Sequence, residues 1–292
     1  MRELIFLSST TLMYATPLIF TALGGILSEK TGIINIGLEG MMTIGAFTAS
    51  LVAIKTGNSW FGLLAGGMGG LLLAIFHALA SIKYRANQVV SGMAINFLGS
   101  GLAIFLCRLF FEGTSMTPPL DLEKKIPLFF GQYITVYLAI ICTLIIWFIF
   151  TKTSLGLRII SCGEHPKSAD TAGLNVSLYQ SIGVLSSGFL AGLGGASLSI
   201  VVVSNFRPTL ISGQGFIAIA ALIFGKWRPL ETAMACFFFG FSQALVIFLG
   251  GQENIEISSQ LLAILPYVMT LIVLVGFMGK TTAPSSLGIL RE

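Results

Sequence analysis

Apolar runs of about twenty residues recur along this chain, and no other feature restricts its fold so sharply. A helix that crosses ~30 Å of hydrocarbon needs about 20 mostly apolar residues. Candidate runs lie at 4–27, 33–54, 60–82, 89–111, 133–150, 181–203, 215–224, 230–249 and 261–278. Charged residues make up 10% of the chain, where a soluble chain averages about 25%. Mean hydropathy is +0.92. The chain is therefore expected to be an all-α polytopic membrane protein, one transmembrane domain over 1–292, with about nine spanning helices and a range of about eight to ten. Its 34 glycines fit that class, because glycine lets membrane helices approach closely.

Two runs depart from a plain span. The run 215–224 is too short to cross straight and reads as a re-entrant half-helix. The run 33–54 is interrupted by Asn35, Gly37, Glu39 and Gly40. Broken or re-entrant segments are thus expected near 33–40 and 213–225.

Orientation follows from lysine and arginine in the short joints. With alternating spans, Lys83, Arg85, Lys152, Arg158, Lys167, Lys226, Arg228, Lys280 and Arg291 share one side. Glu112, Asp121, Glu123, Glu253 and Glu256 share the other, with Lys124, Lys125 and Arg207 dissenting. The first side is expected to be cytoplasmic, which puts the N-terminus outside although Arg2 argues against it. Met1-Arg2-Glu3 leads into an apolar run without a small-residue cleavage site, so no removed signal peptide is expected. The outer joint around Pro118-Pro119 reads as a solvated connection or a docking surface for an external partner.

One long joint, 151–180, is polar between two apolar runs. Its centre, Ser168-Ala-Asp-Thr-Ala-Gly-Leu-Asn175, suits a short helix displayed at the membrane face for another protein to grip. Polar groups inside the membrane are the other candidates. Glu39 is a carboxylate well inside an apolar run, a functional hypothesis by default. Asn35 and Glu39 are spaced to share a face if both are helical. They either line a substrate path or hold a broken helix in shape. Ser91, Gly92 and Asn96 recur at helical spacing and either face the interior or pack helices. Phe206 and Gln214 flank the short run and read either as substrate contacts or as part of a plain loop. A half-helix starting near Gly215 would aim free N–H groups into the membrane, a device transporters use for polar or anionic groups.

Other motifs are set aside. Gly188, Gly192 and Gly195 or Ala196 mark close helix packing rather than a nucleotide loop, for which a preceding strand is missing. Gly279-Lys-Thr281 has Leu274 where a P-loop needs glycine. Cys107, Cys142, Cys162 and Cys236 form no CxxC pair, and His77 and His165 stand apart, so neither metal nor disulfide is expected. No nucleophile–base arrangement is present, so the chain is not expected to be an enzyme, and no cofactor is implied. A faint internal echo links GLEGMMTIGAF after Gly24-Gly25 with SGQGFIAIAALIFG after Gly194-Gly195. Repeated halves are common in transporters.

Six stretches together, in matching order, carry a resemblance. They are TPLIFTALGGILSEKTGIINIGLEGMMTIGAF, NQVVSGMAINFL, GLRIISCGEHPKSADTAGLNV, SGFLAGLGGASLS, GQGFIAIAALIFGKWRP and PYVMTLIVLVGF. The chain resembles the permease subunits of bacterial ABC importers for simple sugars and nucleosides, within the wider branched-chain amino-acid and ribose permease group. The likeness runs from Thr16 to Phe277 and is strongest to the nucleoside branch. It implies a permease of the cytoplasmic membrane that takes up nucleosides or simple sugars by alternating access. ATP hydrolysis would reside on a cytosolic ATPase partner. A second permease and an external substrate-binding lipoprotein would complete the complex. The joint 151–180 would be the coupling loop, with Glu164, Ala169, Asp170, Ala172 and Gly173 at the ATPase. The segment around Asn35–Glu39 would lie near the pathway. The rival readings are a branched-chain amino-acid permease, an ion-coupled secondary transporter titrating Glu39, and a membrane-embedded lipid enzyme.

Overall fold

A computed structural model places residues 2–121, 125–251, 264, 268 and 282–289. The expected run at 261–278 lies outside the described residues, those two single positions excepted, as do Glu123, Lys124, Glu253, Glu256, Lys280 and Arg291 of the charge argument.

The described residues are helical nearly throughout. Among the described residues, seven helices are long and apolar enough to cross a membrane. They are built on α1 (Arg2–Glu29), α2 (Leu38–Thr56), α3 (Ser59–Ala78), α4 (Gln88–Phe110), α5 (Ile134–Lys152), α8 (Val176–Ala196) and α10 (Pro229–Gly250). α3 and α8 continue as wider turns through Leu79–Lys83 and Ser197–Val202. Three short helices, α6 (Ser154–Glu164), α7 (Pro166–Thr171) and α9 (Gln214–Phe224), complete the set. A two-residue hairpin, β1 (Leu128–Phe129) with β2 (Gln132–Tyr133), decorates the joint before α5.

Local chemistry sets the ends. Asn58, Asn87 and Asn175 each accept a hydrogen bond from the first turn of α3, α4 and α8, satisfying N–H groups that helices leave free. α2 stops at Gly57, whose φ of 68° few side chains tolerate.

The centre is a glycine-lined contact of α2, α3 and α8. A Cβ on Gly192 would strike the Gly66 carbonyl, and one on Gly195 would strike the carbonyl of Met42. Lipid tails are as apolar as leucine, so burial alone does not hold membrane helices together; close backbone approach does. α1 crosses this centre and packs against α8 and α10. α4 and α5 lie outermost and present Phe97, Phe105, Leu144 and Phe148 outward.

Two irregular segments, 30–37 and 203–213, interrupt the bundle. Each follows a long helix and leads into a helix that starts inside the protein, α2 in one case and α9 in the other. The joints also sort as the charges suggested. Residues near 30–34, 88, 163–164, 227 and 285–288 meet at one end through mutual hydrogen bonds. At the other end Leu120 donates to the Ser204 carbonyl at 2.7 Å and Thr117 to that of Phe206 at 3.1 Å. The outer joint is thus ordered against segment 203–206.

Candidate transport pathway and coupling surface

Segment 30–37 runs into the bundle without helix, so its backbone groups need partners from elsewhere. Three helices supply them. Gln88 of α4 accepts from the Ile34 N–H at 2.7 Å. Asn96, about 12 Å further along α4 at ~1.5 Å per residue, donates to the Ile36 carbonyl at 3.0 Å and accepts from the Gly40 N–H at 2.8 Å. His77 of α3 places Nε2 3.0 Å from the Ile34 carbonyl. A carbonyl only accepts, so Nε2 carries the proton, and Nδ1 accepts from Ser91, 2.9 Å away. Asn35 is buried, donating to Ser187 of α8 at 2.9 Å and accepting from the Gly37 N–H at 3.1 Å. Asn35, Ser91 and Asn96 are therefore occupied in shaping this segment. A Cβ on Gly92 would press on the Gly37 nitrogen at 3.0 Å.

Glu39 does something different. α2 begins only at Leu38, so Asn35 and Glu39 do not share a helix face as their spacing had suggested. Asn35 turns to α8, whereas Glu39 turns to α9. The two Glu39 oxygens accept from the N–H groups of Gly213 at 2.6 Å and Gly215 at 2.7 Å. The Phe216 N–H is also directed at the carboxylate. Gly213 reaches this geometry with φ of 90°. A helix N-terminus is a ready-made anion site. In this chain its own carboxylate fills that site, so the free N–H groups expected of the half-helix are not free.

α9 itself has eleven residues, about 16 Å of helix, close to half a bilayer core. It runs from Glu39 to a joint where Trp227 donates to buried Glu29 at 2.5 Å. Phe206, expected near substrate, is fully buried with its ring edge-on to Phe47 at 5.5 Å. The side chain that reads as a pathway aromatic is core packing. Ser212 and Phe216, beside the partly exposed Gln214, are the exposed positions at the start of α9.

The joint 151–180 folds as two helices. α6 carries Glu164 in its last turn, and α7 is the short displayed helix. Ala169 of α7 is buried with Cys162 and Val176. It holds the helix down, so Asp170, Ala172 and Gly173 are the outward residues. Gly173 ends α7 with φ of 83°, its N–H donating to the Asp170 carbonyl at 2.9 Å. Glu164 accepts from both the hydroxyl (2.7 Å) and the N–H (3.1 Å) of Ser285. Those bonds hold its carboxyl below the ordinary glutamate range, helped by Lys30 nearby. Burial lowers Lys30, against the pull of Glu164. The Trp227–Glu29 bond and the Ser285 contact have no local sequence signal, because each joins residues far apart in the chain. No cluster of metal-ligating side chains occurs among the described residues.

Comparisons with known proteins bear on what this arrangement does. Residues 7–274 match the family model described as branched-chain amino acid transport system / permease component. The chain is 44% identical over 300 residues to the guanosine ABC transporter permease protein NupQ of Bacillus subtilis, covering 96% of this chain and 94% of that one. It is 40% identical to the nucleoside ABC transporter permease protein NupC of Lactococcus lactis, over 95% and 94% of the two chains. It is 24% identical to NupB, a nucleoside ABC transporter permease of the same organism, over 80% and 70%.

Proposed function

Since the chain belongs to the family of branched-chain amino acid transport system permease components, we propose that it is the permease subunit of an ABC importer that takes up nucleosides across the cytoplasmic membrane. It is a multi-pass transport subunit, and the energy comes from ATP hydrolysed on a partner ATPase. A second permease pairs with it, as the two nucleoside permeases of one Lactococcus suggest. An external binding lipoprotein delivers the cargo.

One observation carries the choice of an uncharged cargo. The α9 N-terminus inside the bundle is the natural seat for a carboxylate or phosphate, and Glu39 already occupies it. An amino-acid carboxylate would find that seat already taken, whereas a nucleoside brings hydroxyls and ring nitrogens that need only neutral partners. Each such group left unpartnered costs about 1–3 kcal/mol, so Ser212 and Gln214 at the start of α9 are the neutral lining we assign to the path, with Glu39 behind them. Asn35, Ser91 and Asn96 support the path rather than line it.

α6 and α7 form the coupling surface, with Asp170, Ala172 and Gly173 facing the ATPase. ATP binding moves this surface, and the bundle alternates its opening around α9. The test is uptake by proteoliposomes holding this chain, its ATPase and second permease, with the binding lipoprotein outside. Labelled guanosine should accumulate with ATP, and excess unlabelled nucleoside but not excess leucine should compete. Competition by leucine and not by nucleosides would return the chain to the amino-acid branch.

A further inference from the structure

The last described residues, 282–289, fold back onto the joint end of the bundle rather than trailing from it. Within this strap Leu287 donates to the Pro284 carbonyl at 3.0 Å and Ile289 to that of Ser286 at 3.1 Å, forming a compact turn. Pro284 is buried, and Leu287 packs against the core shared by α1, α9 and α10. The strap then bonds in two directions. Towards α6, the Ser286 N–H donates to the Gly163 carbonyl at 3.0 Å, and the Ser286 hydroxyl donates to the same carbonyl. Ser285 gives Glu164 two more bonds. Towards segment 30–37, the Gly288 N–H donates to the Gly32 carbonyl at 3.1 Å. A Cβ on Gly163 would strike the Lys30 carbonyl, so the end of α6 lies backbone to backbone on the same segment.

Three pieces of chain are thus joined at one point: the last turn of α6, which leads directly into α7, the start of segment 30–37, and the strap. From Gly32 the segment continues through Ile34 and Asn35 to Glu39, and Glu39 holds the start of α9. Direct contact between α6 and segment 30–37 is a close backbone approach of Gly163 to Lys30 and Gly32, with the Lys30 charge near Glu164. The strap adds hydrogen bonds that bracket it from both sides. We infer that residues 285–288 are positioning residues for transport: they clamp α6 to segment 30–37, so that displacement of α7 reaches Glu39 and α9.

This inference rests on the reading of α6 and α7 as the coupling surface. A chain of contacts alone does not establish energetic coupling, and the number that does is cargo moved per ATP hydrolysed. The experiment uses the full complex in proteoliposomes and reads three quantities: co-purification of the ATPase, ATP hydrolysis, and guanosine uptake. Ser285→Ala/Ser286→Ala removes both hydroxyl donors, and Ser286→Pro removes the backbone donor to Gly163. Ser285→Thr/Ser286→Thr keeps the hydroxyls. Coupling between sites typically amounts to about 5–150-fold, so loss of one link should lower uptake per ATP by about fivefold. The ATPase should still co-purify, and the threonine variant should match the unaltered chain. Unchanged uptake per ATP in the alanine and proline variants overturns the inference, and so does loss of ATPase association, which would make the strap a docking scaffold. Gly173→Pro separates this from the coupling reading itself, since proline cannot adopt the positive φ at that position. If Gly173→Pro abolishes ATPase association while the strap variants couple normally, the strap inference alone fails. If Gly173→Pro couples normally, the coupling-surface reading fails and takes the strap inference with it.

Discussion

Replacing Glu39 tests the junction between α2 and α9 most searchingly. Two N–H groups, at 2.6 and 2.7 Å, donate to its two oxygens. Glu39→Ala leaves both donors unpartnered inside the bundle at about 1–3 kcal/mol each, roughly 2–6 kcal/mol in sum. Loss of the charge at the helix end adds about 0.3–1 kcal/mol. Glu39→Gln keeps one acceptor but turns an NH2 group towards an N–H, so it costs about 2–4 kcal/mol. Thermal unfolding of the purified chain in detergent and ATP-driven guanosine uptake both report the loss. The alanine variant also leaves space beside two free donors at a helix end, a seat for a small carboxylate. Formate or acetate should therefore restore part of its uptake and thermal stability, and should do nothing for the glutamine variant, whose side chain blocks the seat. If Glu39→Gln matches the unaltered chain in both assays, the carboxylate is not holding α9 and the argument for an uncharged cargo falls with it.

Three further outcomes follow from other contacts. Gly192→Ala should cost about 1–3 kcal/mol or more by overpacking against the Gly66 carbonyl. Gly101→Ala, with nothing within 4 Å, should gain about 0.5–1 kcal/mol; the order of melting temperatures in detergent checks the pair. Trp227→Phe strips buried Glu29 of its indole donor and should destabilise by about 1–3 kcal/mol, visible as a lower melting temperature that Glu29→Gln does not lower further in combination. The Glu164–Ser285 contact should be pH-dependent with a definite sign. The folded-state value is depressed, so the contact contributes fully above the ordinary 4.5 and is lost as pH falls below it. A fluorophore on Ala283→Cys should gain mobility in that acid range, and in a Glu164→Gln background its mobility should not change there.

Much of the architecture was legible because membrane helices announce themselves by length and apolarity. Every expected span within the described residues coincides with a helix, and α9 was singled out as short. The interruption at 33–40 was legible from Asn35, Gly37, Glu39 and Gly40, since polar groups and glycines do not continue a lipid-facing helix. The glycine packing of α8 was readable from spacing alone. What spacing could not supply was the partner of each polar group. Asn35 and Glu39 look alike as polar residues four apart, yet one is spent on Ser187 and the other reaches a helix start more than 170 positions away. Phe206 looked like a ligand contact because it flanks the short run, but its ring is buried against Phe47 and its N–H donates to the Thr117 hydroxyl. Ala169 stands in the displayed joint, but its methyl group points inward against Cys162 and Val176. The strap was illegible because Ser285, Ser286 and Gly288 form no motif; only the fold brings Gly163, Glu164 and Gly32 to them.

Guanosine accumulation in proteoliposomes, compared with and without the partner ATPase, tests most directly the claim that this chain is a passive permease worked from its α6–α7 surface. Uphill uptake should require the ATPase, the second permease and ATP together, and collapsing proton and sodium gradients should leave it intact. Accumulation by the purified chain alone, following an ion gradient without ATP, would contradict that claim outright.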